Sequence, residues 1–179
     1  MKQNLHIFLW QKGDKMEKTT KTIEQYIEEN LFGNDRKIAL EFVKYLREKN
    51  LEFYKDECDC WKNKIYYWVR YNKEKCVCFI AIKDPEEPDR NWTVWSDDIS
   101  SDYIANYPID ENLKETAWKY VDKCGLCGGC SGGKPKEIFG KRFPRVCCCT
   151  FRIDNPNEKE LPFMKKMVDI KIGEIENIK

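Results

Sequence analysis

Residues 63–84 read NKIYYWVRYNKEKCVCFIAIKD, and no other stretch narrows the fold as far. Two runs of alternating β-branched, aromatic and aliphatic residues flank the polar segment from Asn72 to Lys75, which is the pattern of an antiparallel hairpin. In the first arm Tyr66, Trp68 and Arg70 fall on one face and Tyr67, Val69 and Tyr71 on the other. A sheet wetted on one side would carry a polar face there, and this strand carries rings on both. Such a strand needs helices on each side, or helices on one side and a concave surface where Trp and Tyr stack on a guest on the other. NWTVWSDD adds a third strand after the Pro-rich turn DPEEPDR, with Trp92 and Val94 opposite Trp95. Tyr66, Trp68, Trp92 and Trp95 are the expected ligand surface, for a small molecule or a protein partner.

Helical periodicity brackets these strands. KTIEQYIEEN predicts one helix. NDRKIALEFVKYLREKN predicts another, with Ile38, Ala39, Phe42, Val43, Tyr45 and Leu46 on its stripe and Asn34 or Asp35 as N-cap. PIDENLKETAWKYVDKC predicts a helix capped by Asp110, with Leu113, Ala117, Tyr120 and Val121 inward, running to Cys124 and stopped by Gly125. A loop then continues to about Arg145, PRVCCCTFRIDNP forms a strand, and LPFMKKMVDIKIGEI closes the chain as a helix. Leu161, Met164 and Val168 face inward there, and Pro162 suits the first turn. Helices interleaved with antiparallel strands predict one α+β domain over residues 20–179, mainly antiparallel sheet with flanking helices. Residues 1–19 are a short strand or a disordered extension, and Met16 is an alternative start.

The densest chemistry lies between Lys123 and Phe151. KCGLCGGCSGGK spaces three cysteines by three among glycines, RVCCCTF adds three in a row, and six of the ten cysteines fall within 26 residues. A C-x₂-C turn aims two thiolates at one ion, and Gly125, Gly128 and Gly129 permit the backbone such a knuckle requires. Cys124, Cys127, Cys130 and one cysteine of the next strand make a tetrahedral Cys₄ zinc site. Strand alternation puts Cys147, Cys149, Phe151 and Ile153 on one face and Cys148, Thr150 and Arg152 on a solvated one. Cys149 is then a core thiol, Cys147 at the strand's entry the fourth ligand, and Cys148 the alternative. His6 is the single histidine, so His₂Cys₂ zinc sets are excluded. An iron–sulfur cluster accepts the same four ligands, and zinc is preferred because the knuckle follows a helix. Cys58, Cys60, Cys76 and Cys78 could form a second site, but Cys76, Cys78, Ile80 and Ile82 alternate onto one strand face and read as core packing.

Other motifs weigh less. GGCSGGKP matches the Gly-x₄-Gly-Lys half of a phosphate-binding loop, but Pro135 replaces the magnesium-binding hydroxyl and no strand precedes it. Lys134, Lys136, Lys141, Arg142 and Arg145 form a basic run that reads as a solvated loop. RNA contact through it is an alternative, disfavoured by the whole chain's net charge of +1. Asp97–Asp98 and Glu86–Glu87 sit in turn-like sequence where solvated charge is the default. With one imidazole, a Ser-His or Cys-His nucleophile pair would require the N-terminal segment to reach it.

The apolar run Leu5–Trp10 is too short for a membrane helix, and the start offers no signal-peptide pattern. A cytoplasmic protein is expected. In a reducing compartment its cysteines serve as ligands, reactive thiols or core filler in place of disulfides.

The stretch from Asp110 to Ile172, through CGLCGGC, IFGKRFPRVC and FRIDNP followed by a closing helix, resembles an uncharacterised bacterial family of small Cys-rich α+β domains. The resemblance implies one cysteine cluster with Cys147 as partner of Cys124, Cys127 and Cys130. It brings no activity with it. The strand–helix ending is also similar to effector-binding α+β domains that hold ligands over a sheet. Together these readings predict a non-enzymatic binding module with a structural zinc. A thiol redox enzyme or sensor using the cysteines of 124–130 and 147–149 is the alternative.

Overall fold

The computed structural model describes residues 21–56, 64–85, 87–126 and 132–177. The expectations placed on residues 1–19, Cys58, Cys60, Glu86, Cys127, Cys130, Gly128 and Gly129 lie outside these. The described residues form an α+β fold of five helices and a seven-stranded antiparallel sheet. The helices are α1 (Ile23–Asn30), α2 (Gly33–Glu48), α3 (Ser101–Ile104), α4 (Glu111–Lys119) and α5 (Leu161–Asn177). The strands are β1 (Glu52–Lys55), β2 (Ile65–Tyr71), β3 (Lys75–Ile82), β4 (Trp92–Ser96), β5 (Val121–Lys123), β6 (Lys134–Ile138) and β7 (Lys141–Asp154). They lie in the order β1-β2-β3-β4-β7-β5, and β6 also pairs with β7. No helix among the described residues is long and apolar enough to cross a membrane.

Local chemistry explains the ends of most elements. Thr22 and Gln25 form a capping box that starts α1, and the Asp110 carboxylate accepts from the Leu113 amide to start α4. The cap of α2 differs from expectation. Phe32 holds the N-cap position with no side-chain bond, and the helix begins at Gly33, whose φ of +54° disfavours other residues. Asp35 instead accepts from the Asn91 side chain, 2.7 Å away. α4 stops at Lys119, short of Cys124, because the Tyr120 carbonyl is taken by the Arg152 amide at 2.9 Å and Val121–Lys123 continue as β5.

The expected loop to Arg145 is also corrected, since its second half is the β6–β7 hairpin. Phe139 and Gly140 turn it with φ of 49° and 77°, the signs a tight two-residue hairpin turn demands. β6 alternates, but Lys136 sits at one of its buried positions. The phosphate-loop reading ends here, because Lys134 opens a strand and not a helix.

The main core fills the space between one sheet face and the helices. Tyr67, Val69, Ile80, Ile82, Trp92, Val94, Phe151 and Ile153 meet Ile27, Phe42, Leu46, Phe163, Met167 and Ile170, all nearly or fully buried. Each such side chain contributes about 1.5–3 kcal/mol on leaving water. Leu161, Met164 and Val168 of α5 point inward as expected. The hairpin register is also as expected, with Trp68 opposite Phe79 and Tyr67 opposite Ile80. A bulge after Val69 breaks the alternation on β3. Val77 and Cys78 both face the helices, while Cys76 turns to the outer face, so Cys76 and Cys78 do not share a face.

Candidate metal centre and aromatic face

β7 is where the fold makes its site. β5 pairs Val121 with Phe151 and Lys123 with Val146. The single residue Asp122 on β5 is thus matched by four on β7, Cys147–Thr150. An ordinary bulge adds one residue, and this one adds three. The displaced backbone finds other partners. The Phe151 amide donates to Ser96 Oγ at 3.0 Å, and the Ile99 amide to Thr150 Oγ1 at 2.9 Å, both hydroxyls being fully buried. Lys136 Nζ completes the knot, donating to Ile99 O at 2.6 Å, to Thr150 Oγ1 at 3.0 Å and to the Asp98 carboxylate. Lys136 is therefore buried, and the basic run is not the uniformly solvated loop its composition suggests. Lys141 of that run lies over the Trp118 and Phe143 rings.

The bulge also overturns the face assignment of the three cysteines. Phe151 and Ile153 enter the main core, but Cys149 packs on the opposite face of the sheet. Thr150, expected in solvent, is buried. Cys147 is half-buried and Cys148 exposed, with their sulfurs 3.9 Å apart. A hydrogen bond from the Cys149 thiol, with help from Cys147 and local amides, pulls Cys148 down to about 6 against its partial burial. Burial pushes Cys147 up to about 11, and the hydrogen bond to Cys148 raises Cys149 further. The Asp122 carboxyl stands beside Cys147. Burial lifts it above its ordinary value, while Arg152 and the Cys147 thiol act the other way.

Cys124 follows β5 directly, and its amide donates to Arg145 O at 3.2 Å. Gly133 closes the two ends of the Gly-Cys segment on each other. A Cβ there would lie 2.5 Å from Cys124 Cβ and 2.6 Å from Val146 O. Gly133→Ala is expected to cost about 1–3 kcal/mol by forcing β6 off β7, read as a lower thermal midpoint. An unchanged midpoint would mean the pinch between Cys124 and Gly133 is not held. Among the described residues no three Cys, His, Asp or Glu side chains converge as one ion requires. Of the four expected ligands, Cys124 and Cys147 are described, and Cys127 and Cys130 lie outside.

The outer face of the sheet carries a second, smaller cluster. Tyr66 stacks on Phe79 with centroids 5.9 Å apart, Trp68 meets Phe79 edge-on at 4.8 Å, and Trp95 lies 6.0 Å from Tyr66. Ala81, Cys76 and Cys149 pack among the rings. The Arg152 guanidinium covers Trp95 at 5.1 Å and Arg70 covers Trp68 at 5.8 Å. Trp68 Nε1 donates to the Asp56 carboxylate at 2.7 Å. Burial raises both the Tyr66 hydroxyl and the Cys76 thiol well above their ordinary values.

Tyr66, Trp68 and Trp95 thus share a face as the alternation predicts. Trp92 does not, since it is 1% exposed on the helix side, among the core residues. Phe79, Cys149 and Arg152 are members the sequence reading missed. Phe79 was recoverable from the hairpin register and Arg152 from the register that sets it opposite Trp95, while Cys149 depends on the bulge.

Asp97 also departs from solvated charge. Burial raises its carboxyl above the ordinary value, opposed by Lys171, whose Nζ lies 3.5 Å away. The chain matches no family model, no curated protein and no solved structure.

Proposed function

We propose that this protein is a non-enzymatic binding module in which Cys124, Cys127, Cys130 and Cys147 hold a structural Zn²⁺. The ion docks the Gly-Cys segment against β7, and the outer sheet face around Trp68 and Trp95 meets a small molecule or a protein partner. The observation that carries this reading is the bulge at Cys147–Thr150. It releases Cys147, the residue after Val146, from the regular ladder, and Gly133 brings the far end of the knuckle against Cys124 and Val146. Zinc in a sulfur-only set supplies folding energy and no open coordination position. A reducing compartment such as the cytoplasm suits a chain of ten cysteines, six of which are free thiols among the described residues.

Metal analysis of protein purified under reductant without chelator, with a free-thiol count, is the direct test. One zinc per chain and about four protected thiols are expected. No metal and ten reactive thiols would end the reading. Cys127→Ser should release the ion and lower the thermal midpoint by more than about 5 °C, each kcal/mol being worth about 2–4 °C in a chain of this size. A retained midpoint would remove the structural role.

Thiol redox chemistry is the second reading, favoured by the exposure of Cys148 beside Cys147. It requires fast alkylation of one or two cysteines by iodoacetamide at neutral pH in untreated protein, where zinc-bound thiolates are protected.

A further inference from the structure

Adjacent residues of a β-strand point to opposite faces, which keeps neighbouring thiols apart. Cys147 and Cys148 break that rule. The three extra residues of the bulge cancel the alternation, and their sulfurs come to 3.9 Å. That separation has a chemical meaning. Zn–S bonds of about 2.3 Å at the tetrahedral angle set two coordinated sulfurs about 3.8 Å apart. Beside the pair opens a cavity of about 200 Å³, bounded by Asp98, Gly132, Lys134, Lys136 and Val146. Cys149 packs into the aromatic cluster, and its thiol hydrogen-bonds Cys148.

We propose that Cys147 and Cys148 act together as a two-thiolate clamp on one soft thiophilic ion, so that β7 supplies two of the four ligands and one cysteine of the 124–130 segment is left out of the set. This rests on the zinc reading for the identity of the resident ion. The clamp itself rests on the sulfur separation and the cavity. Cys148 is thereby a ligand in its own right and not a substitute for Cys147.

Two measurements on the full chain test it. The first is zinc affinity by chelator competition for wild type, C147S, C148S and C149S. Loss of a mere outer-shell partner weakens metal sites about 10–100-fold, so loss of a ligand should do no less. C147S and C148S are each expected to bind zinc at least about tenfold more weakly, and more weakly than C149S, which loses only a hydrogen bond to Cys148. The second is titration of reduced, metal-free protein with phenylarsine oxide. It bridges two close thiols by forming two As–S bonds, both thiol protons leaving with the arsenical oxygen as water and no change in oxidation state. C147S and C148S should each take up one equivalent less than wild type, whatever the cysteines of 124–130 bind in all of them.

Zinc binding in C148S equal to wild type overturns the clamp and leaves the Cys₄ proposal standing. Arsenical uptake that depends on the pair, in a protein that binds no zinc, overturns the Cys₄ proposal and supports the clamp. Arsenical uptake lowered by neither single substitution overturns the clamp by a route independent of zinc. Cys148 is exposed, so its serine variant removes no core contact.

Discussion

Replacing Phe151 with alanine is expected to cost about 3–5 kcal/mol, the range for emptying a fully buried aromatic site. Phe151 has no solvent exposure. It meets Phe163 edge-on with centroids 5.1 Å apart and lies parallel to Phe139 at 6.5 Å. It is also the residue at which β7 rejoins the ladder, opposite Val121 and with its amide on Ser96. The loss should therefore reach the cysteines. Urea unfolding should show the unfolding free energy falling by the stated amount, and Cys149 should be alkylated faster in the native state. A cost below about 1 kcal/mol would mean that the rings around position 151 collapse into the space, against the close packing inferred here.

Glu174→Ala is expected to have an effect of similar size, about 3–5 kcal/mol, because it takes from a buried ammonium its nearest carboxylate, leaving Asp97 at 3.5 Å, and strands the Ser100 amide. Glu174 is 4% exposed and Lys171 8%. Lys171 Nζ lies 2.8 Å from Glu174 Oε2, and the Ser100 amide donates to Glu174 Oε1 at 2.6 Å. Lys171 also reaches the Asp98 carbonyl, so this pair anchors the 97–100 turn that accepts Lys136 from β6. Glu174→Gln keeps an acceptor for Ser100 and should cost less.

The pair has a pH signature. Burial works to raise the Glu174 carboxyl, but Lys171 and the Ser100 amide outweigh it and hold the group below its ordinary 4.5. A carboxylate depressed in the folded state contributes its stability above the unfolded value and loses it as pH falls through the folded one. Wild type should lose stability below about pH 4.5 more steeply than Glu174→Gln. Parallel curves for the two proteins would remove Glu174 from the acid response.

Periodicity carried far where an element's burial matched its own pattern. The β2–β3 hairpin, the stripes of α2 and α5, the Asp110 cap and the two-faced aromatics of β2 all follow from residue spacing, because each depends on neighbours a few positions away. β6 was hidden because Lys136 occupies an inward position, and a strand with an inward lysine reads as a loop. Lys136 can be buried only because Ile99, Thr150 and Asp98 accept its three protons.

The same limit applies at the candidate site. Residue identity and spacing alone nominate thiolate chemistry between Cys124 and Cys149, set aside imidazole-based sites, and establish antiparallel strands interleaved with helices. Which way each of Cys147, Cys148 and Cys149 points was decided by tertiary structure. Perfect alternation holds only while backbone groups pair across the ladder. Here Ser96 Oγ and Thr150 Oγ1 take over amides 55 and 51 residues distant in the chain. Local sequence states what a strand would bury if its ladder were regular. The Ser96 hydroxyl from β4 takes a β7 amide, and Thr150 of β7 turns its own hydroxyl to Ile99 and Lys136. With these distant partners β7 departs from that regularity, Cys149 lies among the rings of the outer face and Cys147 and Cys148 come side by side.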